Sequence, residues 1–396
     1  MQDDDMNLPQ MASPNGRDGV VFIEANPFAS RLHVLGPMAA GAASPDRDVW
    51  IVGPERPPGT DFAVFTEGLY AGVSFVSIAA DSAETGKTSI TPSLLIRLLK
   101  EARRILLRCE RRTLVLSAID DYFSALPWIS VVVRIFFPRT RIIVVRYRVA
   151  DLLPIEDIKP VQLVKRVVIS MLEMLTGAES AIFDERVAES TKLHVLPDPW
   201  TGPFGATSRA ESRLALGWSH NSDVILLVGG QDERKGFNVA VPALVLLRAR
   251  RPNLRVALVG RVDPSMRRYL QEIVGTFGQD FLHISDYLSD EDMARYFAAA
   301  SAVLLPYHTD FTSTSGVLVR AAASSTPVVS SNHGLVGWRT RHHSLGETFG
   351  YPDHTELASK IAAVLEKPFS SMQALIFAQG STEMMLSEAF ESILND

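Results

Sequence analysis

The sequence has little of what marks a secreted, membrane-spanning or nucleic-acid-binding protein. Its 396 residues contain one cysteine, Cys109, so the chain cannot form an internal disulfide and we expect a reducing compartment. The longest apolar stretches, Trp128–Phe137 and Val161–Leu175, are interrupted by charged residues, whereas a membrane-spanning helix needs roughly 18 apolar residues in a row. A net charge of −6 argues against a general nucleic-acid-binding protein, because phosphate backbones attract strongly basic surfaces. We therefore expect a cytoplasmic protein.

The start of the chain also lacks a targeting signal. Residues 1–18 are acidic and polar, without the basic start and apolar stretch of a signal peptide, and we expect them to form a disordered leader. The remainder has an ordinary globular composition, with 46% apolar and 21% charged residues. Its length predicts two domains, because domains commonly hold roughly 100–200 residues.

Short apolar runs alternate with helical patterns along most of the chain, which is typical of parallel sheets covered by helices. In the N-terminal half the predicted strands are Val20–Glu24, Val49–Val52, Phe75–Ala79, Thr113–Ser117, Arg141–Val145 and Ser180–Phe183, and the clearest helices are Ser93–Arg108 and Pro160–Leu175. In the C-terminal half the predicted strands are Val224–Val228, Arg255–Val259, Phe281–Ile284, Ala302–Leu305 and Pro327–Ser330, with helices between them.

A segment rich in glycine, serine and proline separates the two alternations. We predict an N-terminal domain over residues 19–200, a linker over 201–222 and a C-terminal domain over 223–370. Residues 371–396 are predicted to form helices that pack back on the N-terminal domain. Both domains are of the α/β class, whose ligands bind at the carboxyl ends of the strands.

The clearest motif is VGGQDERKG at Val228–Gly236, a strand followed by a glycine turn and a helix start. Lys235 lies where a point charge can neutralise a phosphate. The motif resembles a hallmark of the family-4 retaining glycosyltransferases, and the resemblance continues in register to about Lys367. It implies the GT-B fold, with two Rossmann-like βαβ domains facing a central crevice. It also implies transfer of a sugar from a nucleoside-diphosphate sugar with retention of configuration.

The resemblance assigns donor contacts to the glycine turn and to the ends of two later strands. Lys235 would contact the diphosphate, and Gly230 and Arg234 belong to the same turn. The base-facing strand ends carry Gly260, Arg261, Tyr287 and Leu288. A solvated lysine at a helix start is the alternative interpretation of Lys235.

The loop YHTDFTSTSG, residues 307–316, precedes a helix of small residues. The N–H groups of Ser315, Gly316 and Val317 would point at an anion from the helix N-terminus. Hydroxyl groups that can bind a sugar or phosphate are those of Thr312, Ser313, Thr314 and Ser315. The alternative interpretation is an ordinary hydroxyl-rich helix cap.

The chain departs from the family at its paired glutamates. Those positions fall on Thr312 and Arg320, and the family's arginine in the first turn falls on Gly230. Threonine and arginine cannot replace a carboxylate that accepts hydrogen bonds from sugar hydroxyls. Asp310 is a candidate substitute acceptor, and Arg320 a candidate phosphate ligand. Three hypotheses stay open, namely a divergent glycosyltransferase, a non-catalytic nucleotide-sugar-binding or scaffold protein, and a GT-B epimerase.

The N-terminal half carries weaker candidates for catalysis and for binding a glycan, lipid-linked or small-molecule acceptor. His33 follows the first strand, and Asp120 follows the strand at Thr113–Ser117. A structural histidine and a helix cap are the respective alternatives. The segment TGKT at 85–88 resembles the end of a P-loop, but Asp81 stands where that loop needs glycine, so we interpret the match as chance.

No metal or other cofactor is expected. The histidines lack metal-ligand spacing, and the resemblance implies that side chains and helix ends neutralise the diphosphate. Peripheral membrane contact, at the inner membrane face, is a hypothesis for the basic amphipathic stretch Lys159–Met174, with a core-facing helix as the alternative.

Overall fold

The protein is described from a computed structural model, which covers residues 17–25, 32–55, 72–80, 91–120, 126–153, 160–187, 190, 192–286, 288–367 and 369–396. Most of the predicted leader, the segment TGKT and Tyr287 lie outside the described residues. The chain divides into two compact units. Unit 1 comprises Met1–Leu196 and Leu386–Asp396, and unit 2 comprises Pro197–Met385.

Unit 1 contains a parallel sheet of seven strands. These are β1 Asp18–Ile23, β2 Arg47–Pro54, β3 Val73–Ile78, β4 Arg112–Leu116, β5 Arg141–Arg146, β6 Glu179–Ile182 and β7 Leu193–Val195. Their order is β3-β2-β1-β4-β5-β6-β7, and all neighbours are parallel. The strand order reverses direction beside β1, which is the arrangement that places ligands at the carboxyl ends of the central strands.

Helices cover both faces of this sheet because alternate residues of each strand point to opposite sides. The helices that precede unit 2 are α1 Leu32–Ala42, α2 Pro92–Leu106, α3 Leu126–Phe136 and α4 Pro160–Thr176. In β1, Val20 and Phe22 pack in the core that includes α1. Val21 and Ile23 pack in the opposite core with residues of α2, α3 and α4.

Unit 2 contains a second parallel sheet, of six strands. Its strands are β8 Asp223–Val228, β9 Leu254–Val259, β10 Phe281–Ile284, β11 Ala302–Leu305, β12 Val328–Ser331 and β13 Gly346–Phe349, in the order β10-β9-β8-β11-β12-β13. Its helices are α5 Arg209–Ala215, α6 Phe237–Arg250, α7 Arg267–Phe277, α8 Asp290–Ala299, α9 Gly316–Ala323, α10 Gly334–His342, α11 His354–Glu366 and α12 Ser371–Gln379. Residues of α6, α7 and α11 form the core on one face, and residues of α8, α9 and α12 form the core on the other.

The predicted linker over 201–222 lies inside unit 2 and is structured. A capping box between Ser208 and Glu211 starts α5. Phe204 packs edge-on against Phe297 of α8, with ring centroids 5.4 Å apart. The polar composition of this segment therefore marks surface turns within unit 2, and the division between the units falls earlier, after Leu196.

The sequence predicts that the helices of residues 371–396 pack back on the N-terminal domain. In the structure the last two helices are divided between the two units. Helix α12 packs beside α9 in unit 2. The final helix, α13 Glu383–Asn395, packs on unit 1, where the ring centroids of Phe390 and Phe22 lie 5.4 Å apart. Two Rossmann-like α/β domains are confirmed. Among the described residues, the helices are too short or too polar to cross a bilayer.

Candidate functional site

The turn after β8 is built on glycine. Gly229 has φ 87° and Gly236 has φ 73°, a region in which only glycine is unstrained. A Cβ on Gly260 would lie 2.2 Å from the carbonyl oxygen of Gly229, so the ends of β8 and β9 approach backbone to backbone. The Asp232 carboxylate accepts the N–H of Lys235 at 2.7 Å. These constraints hold the chain in one path into α6.

Gly236 joins this turn to the end of β11. A Cβ on Gly236 would lie 1.6 Å from the carbonyl oxygen of Pro306, which leaves no room for any other residue. The N–H of His308 donates to the carbonyl oxygen of Arg234 at 3.1 Å. The two segments that the sequence predicts to bind the donor are therefore in direct contact.

Lys235 extends from the first segment over the second. Its ammonium group donates to the hydroxyl of Tyr307 at 3.0 Å and lies 4.2 Å from the centre of that ring. The ring of Phe311 is 5.1 Å away, and the guanidinium of Arg234 lies 5.3 Å from the same ring. Aromatic faces attract cations, so these rings hold the ammonium in place.

Tyr307 links this cation to the N-terminus of α9. Its hydroxyl lies 2.9 Å from Oγ of the buried Ser315. Ser315 is the cap residue of α9, but its side chain makes no capping hydrogen bond. The first N–H groups of a helix have no partner inside the helix, so those of α9 point beyond Ser315. A cation and the positive end of a helix dipole thus converge on one position.

The predicted hydroxyl groups of Thr312, Ser313 and Thr314 are on half-buried residues of the same loop, and Gly316 is exposed. Val317 is half-buried and packs on the core. The loop thus leaves room for a ligand on its outer side while its ends are held by Tyr307 and α9.

Arg320, at the position of the family's second glutamate, packs on an aromatic residue. Its guanidinium lies 5.3 Å from the ring of Phe204. Asp310, the predicted substitute carboxylate, is largely exposed, and its oxygen lies 3.4 Å from Nδ1 of His308. An open cleft of about 620 Å³ adjoins this loop and is lined by Asp232, Glu233, Arg234, Asp263, Ser265, His308 and Asp310.

Two residues that the sequence does not single out stabilise the loop. His333 caps the start of α10, and its Nε2 lies 3.0 Å from the carbonyl oxygen of His308. Burial lowers the pKa of His333, and the hydrogen bond to His308 only partly opposes this. Tyr351 packs edge-on against His308 with ring centroids 5.1 Å apart. Neither side chain has a spacing motif, so only the folded chain reveals them.

The predicted base-facing residues occupy the ends of β9 and β10. Gly260 accepts a hydrogen bond at its carbonyl oxygen from His283, at 2.9 Å. Arg261 is exposed, and its carbonyl oxygen accepts the N–H of Gln231 at 2.8 Å. Leu288 packs partly buried against the core that contains α8. Backbone and aliphatic surface therefore dominate this edge.

Asp120 in unit 1 has a structural environment, in contrast to the predicted catalytic role. Its carboxylate accepts the N–H groups of Tyr147 at 2.6 Å and Arg148 at 2.9 Å, and it pairs with the ammonium of Lys165. The side chain is 3% exposed. These partners occupy both carboxylate oxygens of Asp120. The carboxylate thereby connects the segment after β5 to α4. His33 lies half-buried in the first turn of α1.

The described residues contain no group of three histidine, cysteine or acidic side chains arranged to hold a metal ion. The cationic and backbone donors around Lys235 are instead suited to an anion. This part of unit 2 is the strongest candidate site in the described chain, because the glycine turn and the loop at 307–316 meet there.

Comparisons with known proteins concern the same part of the chain. Residues 222–367 match the model of the family described as glycosyl transferases group 1. The chain is 25% identical over 175 residues to a D-inositol 3-phosphate glycosyltransferase of Thermobispora bispora. This alignment covers 42% of this chain and 40% of that protein. The matched part thus spans less than half the length of this curated relative.

Solved structures resemble nearly the whole chain. Sucrose-phosphate synthase from Thermosynechococcus elongatus superimposes with a TM-score of 0.72 at 16% identity, covering 96% of this chain and 98% of that one. Anabaena HepE in complex with UDP-glucose superimposes with a TM-score of 0.66 at 15% identity, covering 95% and 99%. At these identities the likeness establishes the fold. Residues 222–367 therefore resemble the glycosyl transferases group 1 family, within a chain that has the two-domain, Rossmann-like GT-B fold.

Proposed function

We propose that the protein transfers a sugar from a nucleoside-diphosphate sugar to an acceptor, and that unit 2 binds the donor. The observation that carries the proposal is the convergence of the Lys235 ammonium and the N-terminus of α9, which Tyr307 and Ser315 connect. The family match over residues 222–367 and the position of Lys235 in the glycine turn support it. Because Anabaena HepE is described with UDP-glucose, UDP-linked sugars are the first donors to test.

The chemistry follows from the charge of the leaving group. When the glycosidic bond to the diphosphate breaks, negative charge grows on the departing phosphate oxygen. A preorganised cation and helix N-terminus stabilise the transition state, in which this charge develops, more than they stabilise the bound donor. The activation barrier for cleavage of the bond is therefore lower. We propose that Lys235 and the N–H groups of Gly316 and Val317 perform this role without a metal ion.

The loop at 307–316 would bind and orient the donor sugar. Thr312, Ser313 and Thr314 would donate to and accept from sugar hydroxyls, and Asp310 would act as the acceptor-only group in place of the family's glutamate. We propose retention of configuration from the same family resemblance. Unit 1 would recognise the acceptor, which is a glycan, a lipid-linked sugar or a small molecule.

The test is a donor screen with UDP-, GDP-, ADP- and dTDP-linked sugars, measuring binding by calorimetry and turnover by release of the nucleoside diphosphate. Lys235→Ala should lower kcat/KM by about 10²-fold, because removal of one preorganised donor typically costs this much. The matched control is Lys367→Ala, at an exposed lysine whose ammonium lies 3.7 Å from a Glu347 carboxylate oxygen. EDTA should leave turnover intact. Equal kinetics for the two variants would remove Lys235 from the donor site.

A non-catalytic nucleotide-sugar-binding protein is the second candidate. The position of Arg320 over Phe204 and the hydroxyl at Thr312 favour it, because neither supplies the carboxylate expected there. Such a protein would bind a donor in calorimetry and release no nucleoside diphosphate with any donor or acceptor. Turnover that depends on Lys235 would exclude it.

A further inference from the structure

Helix α4 presents an apolar face that nothing in the described chain covers. Of the residues of α4, only Ile169 and Leu172 are buried. Its exposed apolar side chains, which are 37% to 75% accessible, are Val161, Leu163, Val164, Val167, Met171, Met174 and Leu175. Spacings of three and four residues place most of them on one side of the helix. Water-soluble proteins seldom expose so much contiguous apolar surface without a binding function.

Helix α3 packs alongside α4 and enlarges this face. Its exposed apolar residues are Val131, Ile135 and Phe136, which are 45% to 64% accessible. Together the exposed apolar residues of the two helices form what we call the α3–α4 surface. The core of unit 1 lies behind it, where Val133 and Ile169 are fully buried. The apolar residues outside are therefore additional to those that the fold requires.

Two exposed arginines, Arg134 and Arg139, lie at one end of the α3–α4 surface. They line an open cavity of about 340 Å³ between the C-terminal ends of the helices, together with Val133, Phe137, Thr140, Ile142, Leu175, Thr176 and Gly177. Within α3 and α4 the only acidic residue is Glu173, which accepts a hydrogen bond from Ser180 at 2.8 Å. The cavity thus combines apolar walls with two cations.

Lys165 and Arg166, the cations that the sequence suggests for membrane contact, serve α4 in another way. Lys165 pairs with Asp120 and donates to the carbonyl oxygen of Arg148. Arg166 donates to the carbonyl oxygens of Asp151 and Leu153. Both side chains bind α4 to the segment after β5, so the outward face of the helix is apolar rather than basic.

We propose that the α3–α4 surface docks on an anionic lipid bilayer, with its apolar side chains in the interface and a headgroup phosphate between Arg134 and Arg139. An apolar helix face with cations at its edge is the composition of interfacial membrane binding. A symmetric dimer through the same surface is disfavoured, because a twofold contact pairs one patch with itself and would supply the arginines with no acidic partner from α3 or α4 other than Glu173, which already bonds Ser180. The headgroup also provides acidic partners that the helices lack.

The experiment is flotation of the full chain with vesicles of phosphatidylcholine alone and of phosphatidylcholine mixed with phosphatidylglycerol. We expect binding to the mixed vesicles, weakened by salt. Arg134→Ser with Arg139→Ser should reduce partitioning into the mixed vesicles roughly 30-fold, because each of the two cations contributes a similar share of the free energy of binding to an anionic surface. Val164→Ser with Met174→Ser should abolish flotation at the same lipid concentration.

Matched controls stand on exposed residues of unit 2. Arg268→Ser and Met372→Ser, at an exposed arginine and a 63% exposed methionine, should float like the native chain. Absence of native flotation, or equal flotation of all variants, would overturn the proposal. A native dimer that Val164→Ser with Met174→Ser dissociates, without lipid binding, would assign the surface to a second copy instead.

This inference does not depend on the proposed transfer reaction, although a lipid-linked acceptor would unite them. Donor binding in calorimetry and nucleoside-diphosphate release tests unit 2, and vesicle flotation tests unit 1. The α3–α4 variants should retain donor binding, because none of their residues belongs to the donor site. Failure of flotation with intact turnover would overturn only the membrane proposal.

Discussion

At the scale of single residues, neighbouring positions in the VGGQDERKG turn meet different physical demands. Lys235 is selected by charge, because its ammonium lies near the rings of Tyr307 and Phe311 and donates to the Tyr307 hydroxyl. Gly236 is selected by shape, because its φ of 73° and the nearby Pro306 carbonyl oxygen admit no Cβ. The proposed recognition of the donor and the integrity of the fold therefore depend on adjacent residues.

Gly236→Ala should destabilise unit 2 strongly. A left-handed conformation costs a residue with a Cβ about 1–2 kcal/mol, and relief of the overlap with Pro306 adds to this cost. The measurement is the free energy of unfolding from urea denaturation. Gly275→Ala is the control, since this exposed glycine lies within α7 with open space around its Cβ position. That variant should gain about 0.5–1 kcal/mol from helix propensity. Equal stability of the two variants would contradict the argument.

At the scale of elements, the last helix shows how a short amphipathic segment completes a domain. Leu386, Phe390 and Ile393 of α13 are spaced four and three residues apart and are buried against β1 and α1. At the opposite edge of the helix, Arg141 donates to the carbonyl oxygen of Leu394 at 3.3 Å. Unit 1 therefore needs α13 to complete this core.

Phe390→Ala should reduce the stability of unit 1 by about 3–5 kcal/mol, because it removes a buried ring and leaves a cavity beside Phe22. The thiol of Cys109, which is buried on the opposite face of the same sheet and whose pKa is raised by burial, reports on opening of unit 1 as a whole. Its reaction with a thiol reagent should accelerate in this variant and stay slow in Met384→Ala, at a methionine that is 64% exposed. Unchanged labelling of Phe390→Ala would show that α13 is dispensable for unit 1.

Several elements of unit 2 have weak local signals, and the sequence does not predict them. Helix α10 contains Gly334 and Gly337 with few apolar residues in helical spacing, and β13 has four residues and begins with glycine. Their stability comes from burial of Leu335, Val336 and Phe349 against the sheet. By contrast, β11 and α9 have the predicted bounds, since apolar runs and a glycine start delimit them locally.

At the scale of the whole molecule, ion pairs between strands make the free energy of unfolding depend on pH. Arg141 on β5 makes a bidentate pair with Glu179 on β6, at 2.7 and 2.8 Å, and His194 on β7 lies 3.0 Å from the same carboxylate. Burial alone would raise the pKa of Glu179, but the hydrogen bonds from Arg141 and His194 outweigh it and the pKa is lowered from 4.5. A carboxyl group with a lowered pKa stabilises the folded state above its unfolded pKa. That contribution is lost as the pH falls through the lower, folded value.

Glu179→Gln should therefore lower the free energy of unfolding by about 2 kcal/mol at neutral pH, since it leaves Arg141 without its charged partner. The difference from the native chain should shrink as the pH falls below 4.5, and it should vanish once the pH has passed the lower pKa of folded Glu179, where that carboxylate is also protonated. Urea denaturation at a series of pH values measures both effects. Glu101→Gln is the control, because its pair with Arg104 is three residues away on a helix surface and contributes little. A constant difference at every pH would refute the linkage.

The sequence by itself determined the two βα alternations, the glycine turn and the placement of Lys235, because apolar periodicity and turn chemistry are local. Only the tertiary structure decided that Ser315 binds Tyr307, that Arg320 packs on Phe204 and that Asp120, Lys165 and Arg166 serve the fold. It also separated α12 from α13, and among the described residues it left the α3–α4 surface uncovered. Each of these outcomes depends on contacts between residues distant in the chain. Hydrophobic spacing predicts that a residue is on an apolar face, but not whether another element covers that face.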